Sequence, residues 1–184
     1  MHLYLIVVVS LLGMKELIYG IYNTIAGGNS IPSSIGENSP IKEQPKNACD
    51  NTTFTKYLNS GKCPKYGSPI DCGLNTGLYV TLERGASIVV GFQLCAANDF
   101  PSRDPITITL EGTNEVAKKL TLGSSWTLMY SGFSGLNNDP GRYTCGEKRL
   151  FSNSVEYASY RFLVTGKRDV GNSVQYSELR LFGF

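Results

Sequence analysis

Apolar positions along this chain recur mostly at every second residue, in short runs divided by turn-forming clusters. In GLYVTLE, Leu78, Val80 and Leu82 alternate with Tyr79 and Thr81; in DPITITLEG, Ile106, Ile108 and Leu110 alternate with Thr107 and Thr109. A period of two is that of a β-strand, so each run predicts a strand with one dry face and one wet face. ASIVVGFQLCAA is apolar almost without a break and predicts a central strand covered on both sides. Trp126, Leu128 and Tyr130 share a phase in SSWTLMYSG, and Tyr160, Phe162 and Val164 share one in EYASYRFLVTGK. No window of helical length sustains a period near 3.6; NEVAKKLTL comes nearest and is short enough for a loop or an edge strand. About seven or eight such strands predict an all-β fold, an antiparallel sandwich around one core.

The final run, SVQYSELRLFGF, changes phase: Val174 and Tyr176 share one face, Leu179 and Leu181 the other. A bulge or kink at Ser177 and Glu178 would account for it, as would a new strand whose solvent face begins at Glu178.

The N-terminal pattern differs. Leu3 to Leu12 is an uninterrupted apolar run, too short to span a bilayer and suited to the hydrophobic stretch of a signal peptide. We therefore expect residues 1–20 to be a signal peptide, with cleavage after Gly20 or Ala26, although no Lys or Arg precedes the run. Residues 21–44, rich in Gly, Ser, Asn and Pro and without either period, read as a flexible linker, and residues 45–184 as the domain.

Composition narrows the function. With 17 Lys and Arg against 15 Asp and Glu, the chain has no general attraction for phosphate backbones, which argues against nucleic acid. His2 is the only histidine and lies in the expected signal peptide, which removes His-dependent catalysis and His-containing zinc sites. Two-carboxylate chemistry stays open on residue count, through Asp50, Asp99, Asp104, Glu111 and Asp139. Five cysteines follow the N-terminal segment. Cys63 and Cys72 flank a short Pro- and Gly-containing loop and form the best intramolecular pair, worth roughly 2–3 kcal/mol by chain entropy. Cys49, Cys95 and Cys145 stay unassigned, and an exposed odd cysteine would allow a covalent dimer. Asn51 heads an N-x-[ST] sequon, a possible glycosylation site in a secreted chain.

Several blocks carry a family likeness: ACDNTTFTKYLN, ANDFPSRDPITITLEGTN, WTLMYSG followed by FSNSVEYASYRFLV, and NSVQYSELRLFG. In order and spacing they resemble a galactose-binding-like, discoidin-type domain, the group that includes coagulation factor C-type domains and lectin-like carbohydrate-binding modules. The resemblance runs from about Asn47 to Phe184 and implies a jelly-roll sandwich of about eight strands. It also implies a structural calcium ion, with a carboxylate from Asp50, the hydroxyl and carbonyl of Thr55, and carbonyls of Asn47 and Thr53. Glu178 would close that site from the last strand, with the Ser177 or Leu179 carbonyl nearby. A hard cation of this kind takes six to eight oxygens. Ligand binding is expected in the loops at one end. The candidates are Asp99, Phe100, Arg103 and Asp104 in one loop and Lys167, Arg168 and Asn172 in another, with Phe100 or Tyr143 stacking on a sugar. The histidine common in such sites is missing here. The resulting expectation is a secreted, non-catalytic module that binds carbohydrate or glycoprotein. Its alternative is an extracellular adhesion module binding protein or lipid head groups, for which Phe100, Phe133 and Leu136 are the only candidate membrane-contacting spikes.

Overall fold

The computed structural model describes residues 7–9, 18–63 and 70–184. Twelve strands form among them: β1 (Val7–Val9), β2 (Ile18–Tyr22), β3 (Ile31–Pro32), β4 (Tyr57–Asn59), β5 (Thr76–Thr81), β6 (Val89–Cys95), β7 (Pro105–Thr113), β8 (Thr127–Phe133), β9 (Arg149–Leu150), β10 (Ser159–Lys167), β11 (Val174–Tyr176) and β12 (Glu178–Gly183). The described residues contain no α-helix, only four short 3-10 turns, and no described helix is long and apolar enough to cross a membrane. NEVAKKLTL contains one of these turns, Ala117–Thr121, in place of the expected loop or edge strand.

The strands build an antiparallel sandwich. One sheet has the order β3-β2-β5-β10-β7-β8, the other β1-β12-β6-β9, and β11 pairs with β4 in a small third sheet. The period-two residues meet between the sheets. Leu78, Val80, Ile108, Leu110, Tyr160, Phe162 and Val164 come from the larger sheet and Phe92, Leu94, Leu179 and Leu181 from the smaller. Phe92 packs edge-on to Phe162 and Tyr130 at the centre of this core.

The phase break at the end of the chain is real. β11 ends at Tyr176, β12 begins at Glu178, and between them the Ser177 N–H donates to the Cys95 carbonyl and its hydroxyl to that of Ala96. The chain changes sheets there, so alternate residues point inward on either side of the step. A second phase change corrects an expectation. Trp126 and Tyr130 do not share a face, because β8 slips register opposite Leu110 and Glu111. Tyr130 reaches the central core, whereas Trp126 joins Ile21, Tyr79, Leu120 and Leu163 in a second cluster.

That second cluster corrects two further expectations. The outer face of the larger sheet is not wet, and residues 21–44 are not a flexible linker. Ile18–Tyr22 adds a strand alongside β5, and the following turn lies against a buried ion pair, Arg161 with Glu111. Arg161 donates to both Glu111 carboxylate oxygens at 2.7 and 2.9 Å. Its remaining nitrogen donates to the Gly28 carbonyl and the Ser30 hydroxyl, while the Gly27 N–H donates to Glu111. The guanidinium sits 4.8 Å from the Trp126 ring. Backbone groups and glycines make these contacts, so no side-chain period announces them.

Of the expected signal peptide, residues 1–6 and 10–17 lie outside the described residues; Val7–Val9 pairs along β12, and Ile18–Gly20 opens β2. Disulfides join Cys63 to Cys72, the pair suggested by the short loop, and Cys95 to Cys145, a pair the sequence left open. Cys49 is buried, which corrects the idea of an exposed odd cysteine linking two chains. Burial, then the nearby Glu178 and Asp50 charges, push its thiol far above the ordinary range.

Candidate functional site

Two features at the ends of strands have the makings of sites. The first lies where the 47–55 loop meets the start of β12. A 3-10 turn, Pro45–Ala48, delivers the chain into this loop, and Asn51 reverses it with a left-handed backbone, φ 63°. Within the loop the Asp50 carboxylate accepts the Thr55 hydroxyl at 2.6 Å and the Thr52 N–H at 3.2 Å. The Thr55 hydroxyl also lies 3.5 Å from the Asn47 carbonyl. Glu178 enters from β12, only 2 % exposed, and its Oε2 is buried without a hydrogen-bond partner among the described residues. Burial, and after it the Asp50 charge, push the Glu178 carboxyl up to about 7; Arg180 and the amides of Thr52 and Asn51 oppose that rise. The Asp50 charge thus bears on the Glu178 carboxyl, and no Lys or Arg makes a hydrogen bond or ion pair with either carboxylate among the described residues. Asn51 itself is exposed, as a glycan acceptor must be.

The second feature is a cleft of about 440 Å³. One wall is the 36–41 segment with Glu37, Asn38, Pro40 and Ile41; the other is Arg103, Asn172 and Ser173, with Leu58 and Ser60 between. The β6–β7 loop carries Arg103 on a short 3-10 turn, Pro101–Arg103, entered through Phe100 in a left-handed conformation, φ 39°. The Arg103 guanidinium lies 4.0 Å from the centre of the half-exposed Phe100 ring and makes no hydrogen bond among the described residues. Asn172 Oδ1 accepts the Ser173 hydroxyl, which leaves its amide nitrogen unpartnered there, and the exposed Glu37 carboxylate also has no described partner. A guanidinium, an amide and a carboxylate, with an aromatic ring alongside, can hydrogen-bond paired hydroxyls and stack on an apolar ring face.

The structure therefore divides the expected ligand residues. Arg103 and Asn172 line the cleft, and Phe100 lies against the Arg103 guanidinium. Asp99, Asp104, Lys167 and Arg168 are occupied inside the protein. Asp104 is fully buried and takes a bidentate contact from Arg142, at 2.6 and 2.9 Å, and a longer one from Arg168 at 3.4 Å. Arg168 also donates to the Leu136 and Asn137 carbonyls, and Lys167 to those of Cys72 and Gly171. Asp99 accepts the Lys56 ammonium at 2.7 Å and the Gln175 amide at 2.9 Å; burial alone would raise its carboxyl, and these partners hold it below the ordinary value. Nothing local in the sequence points to Lys56, Gln175 or Arg142 in this network, because each partner lies 38 residues or more away. Leu136, named as a possible membrane spike, is fully buried, while Phe133 is half exposed.

No family model matches the chain, and no curated protein matches it either. Solved structures do. A family 32 carbohydrate-binding module of Clostridium perfringens NanJ, in complex with galactose, is 13% identical over 79% of this chain and 88% of its own, with a TM-score of 0.55. Another C. perfringens family 32 module, in complex with GalNAc-β-1,3-galactose, is 15% identical over 80% of this chain and 91% of its own, with a TM-score of 0.56. The family 32 module of AlyQ, in complex with 4,5-unsaturated mannuronic acid, is 15% identical over 91% of this chain and 98% of its own, with a TM-score of 0.52. At such identities the likeness establishes the fold: this chain has the galactose-binding-like sandwich shared by these modules.

Proposed function

We propose that this protein is a secreted, non-catalytic carbohydrate-binding module whose sugar site is the cleft walled by the 36–41 segment, Arg103 and Asn172. The observation that carries the reading is that one cleft is lined by a guanidinium and an amide nitrogen, neither with a hydrogen-bond partner among the described residues, the guanidinium lying against an exposed aromatic ring. Nearby, Asp99, Asp104, Arg142 and Arg168 are all held in ion pairs. Sugars and glycan chains of glycoproteins, presenting adjacent hydroxyls on a ring with an apolar face, match that equipment. Sugar ligands in solved modules of the same fold agree with it.

The non-catalytic part rests on the carboxylates. Asp99 is held by Lys56, Asp104 and Asp139 by Arg142, and Glu111 by Arg161, each within 2.9 Å of the cation. A hydrolase needs one free carboxylate and one proton-bearing partner across a cleft, and these four are fixed as ion-pair anions.

Asp50 and Glu178 are not held by a cation in this way, and their arrangement suits a divalent ion. A buried, unpartnered carboxylate oxygen facing a second carboxylate is a poor structure on its own and a good one around calcium. Asp50, Thr55 and Glu178 would hold the ion, with carbonyl oxygens of Asn47 and Thr53. Calcium supplies only charge neutralisation and cross-linking there, bracing the loop against β12.

Printed arrays of defined glycans test the reading. The refolded protein binds a subset of them, and Arg103→Ala or Asn172→Ala abolishes that binding without changing the melting midpoint. An array that stays silent, with a protein partner recovered by pull-down, favours the adhesion reading instead.

A further inference from the structure

Beyond the cleft, two further rings are exposed side by side. Phe54 is 83% exposed and Tyr143 44%, their centroids 5.7 Å apart and their planes tilted by 46°. They belong to loops distant in sequence, and neither ring is needed for the core. We infer that Phe54 and Tyr143 form a stacking platform that continues the sugar site, so that the module grips an oligosaccharide rather than one terminal sugar. This rests on the cleft being the primary sugar site.

Two observations join the platform to the cleft. The Tyr143 N–H donates to the carbonyl of Ala97, at the start of the loop that carries Phe100 and Arg103. Two residues separate Ala97 from Phe100, which puts them at most roughly 10 Å apart, a span that a few linked sugar rings can bridge. The second observation is backbone strain. Among the described residues, six non-glycine residues have positive φ; four are Asn or Ala, and the remaining two are Phe100 at 39° and Tyr143 at 60°. Left-handed backbone is costly for bulky residues and tends to persist where function retains it. Here both bulky cases are exposed aromatics, on two loops joined by the Tyr143 to Ala97 hydrogen bond.

The surroundings favour a sugar over a lipid or an apolar protein surface. Phe54 donates its N–H to the Thr52 hydroxyl, the exposed Asn51 lies in the same loop, and the exposed Asn98 follows Ala97, the residue that accepts the Tyr143 N–H. Rings framed by amides and hydroxyls match a sugar ring, apolar on one face and polar at its edge. A lipid surface would call for a broader apolar patch.

The test compares array profiles by chain length, using protein made without N-glycosylation so that no glycan at Asn51 competes. Wild-type signal should rise from mono- to tetrasaccharides of the bound type. Phe54→Ala should lower the longer-chain signal by roughly two- to tenfold, as loss of one aromatic stack does, and should change the monosaccharide signal by less than twofold. Tyr143→Gly serves as the fold control. Glycine adopts the left-handed backbone freely, so this variant should keep or raise the melting midpoint and still lose long-chain binding. A wild type that binds but shows profiles unchanged in both variants overturns the platform alone. Equal losses at every length also overturn it. A wild type silent across the whole array overturns the sugar reading, and the platform falls with it.

Discussion

At the scale of single residues, Glu178 is the most informative. Its carboxyl is raised because burial and the Asp50 charge oppose ionisation. A raised carboxyl binds its proton more tightly in the folded than in the unfolded state. Its contribution to stability is therefore complete below the unfolded value near 4.5 and is lost as pH climbs through about 7. The calcium-free protein should lose on the order of 3 kcal/mol from this group between pH 4.5 and pH 8. Calcium favours the ionised form, so the rise in melting midpoint on adding calcium should be larger at pH 8 than at pH 5. Glu178→Gln should raise the calcium-free midpoint at pH 8 and abolish the response. Thermal scans in calcium and in chelator check both points, and an equal increment at both pH values would contradict the cation site.

At the scale of elements, the buried Arg161–Glu111 pair decides whether the N-terminal segment stays seated. Removing Arg161 leaves the buried Glu111 charge unpaired and the Gly28 carbonyl without its donor. Arg161→Ala should cost about 3–5 kcal/mol, while Arg161→Met combined with Glu111→Leu should cost much less. Denaturant unfolding of the single and double variants measures the difference. Limited proteolysis of the single variant should open the chain between Thr24 and Ile31. The Cys95–Cys145 bridge ties β6 to the chain beyond β8 and closes a loop of 50 residues, worth about 4 kcal/mol by chain entropy.

These elements also show how far the sequence can be read. Strand phases in β5, β7 and β10 identified the core because each residue there meets the opposite sheet. The step at Ser177 was visible because a change of sheet inverts the phase. The linker expected at residues 21–44 is an ordered part of the sandwich because glycines, main-chain amides and one arginine 133 positions away hold it, and none of these leaves a period. The candidate ligand residues split for a similar reason. Arg103 and Asp104 are adjacent in sequence, yet one faces the cleft and the other is buried under Arg142, a partner only the fold could supply.

At the scale of the whole molecule, the sandwich begins earlier than its composition suggests. Cleavage after Gly20 would remove three of the five residues of β2, and cleavage after Ala26 would remove the strand entirely. Mass spectrometry of the secreted protein should therefore find a mature N terminus before Ile18; a terminus at Ile21 or Gly27 would mean that the secreted domain does without β2.

The central claim is that a sugar sits between the 36–41 segment and the pair Arg103 and Asn172. Amide NMR of the labelled protein, titrated with galactose, with GalNAc-β-1,3-galactose and with the strongest array ligand, tests it most directly. The account predicts saturable shifts concentrated at Glu37, Asn38, Arg103, Asn172 and Ser173, absent in Arg103→Ala. Shifts gathered on another face of the sandwich, or none with any of the three sugars, would contradict it.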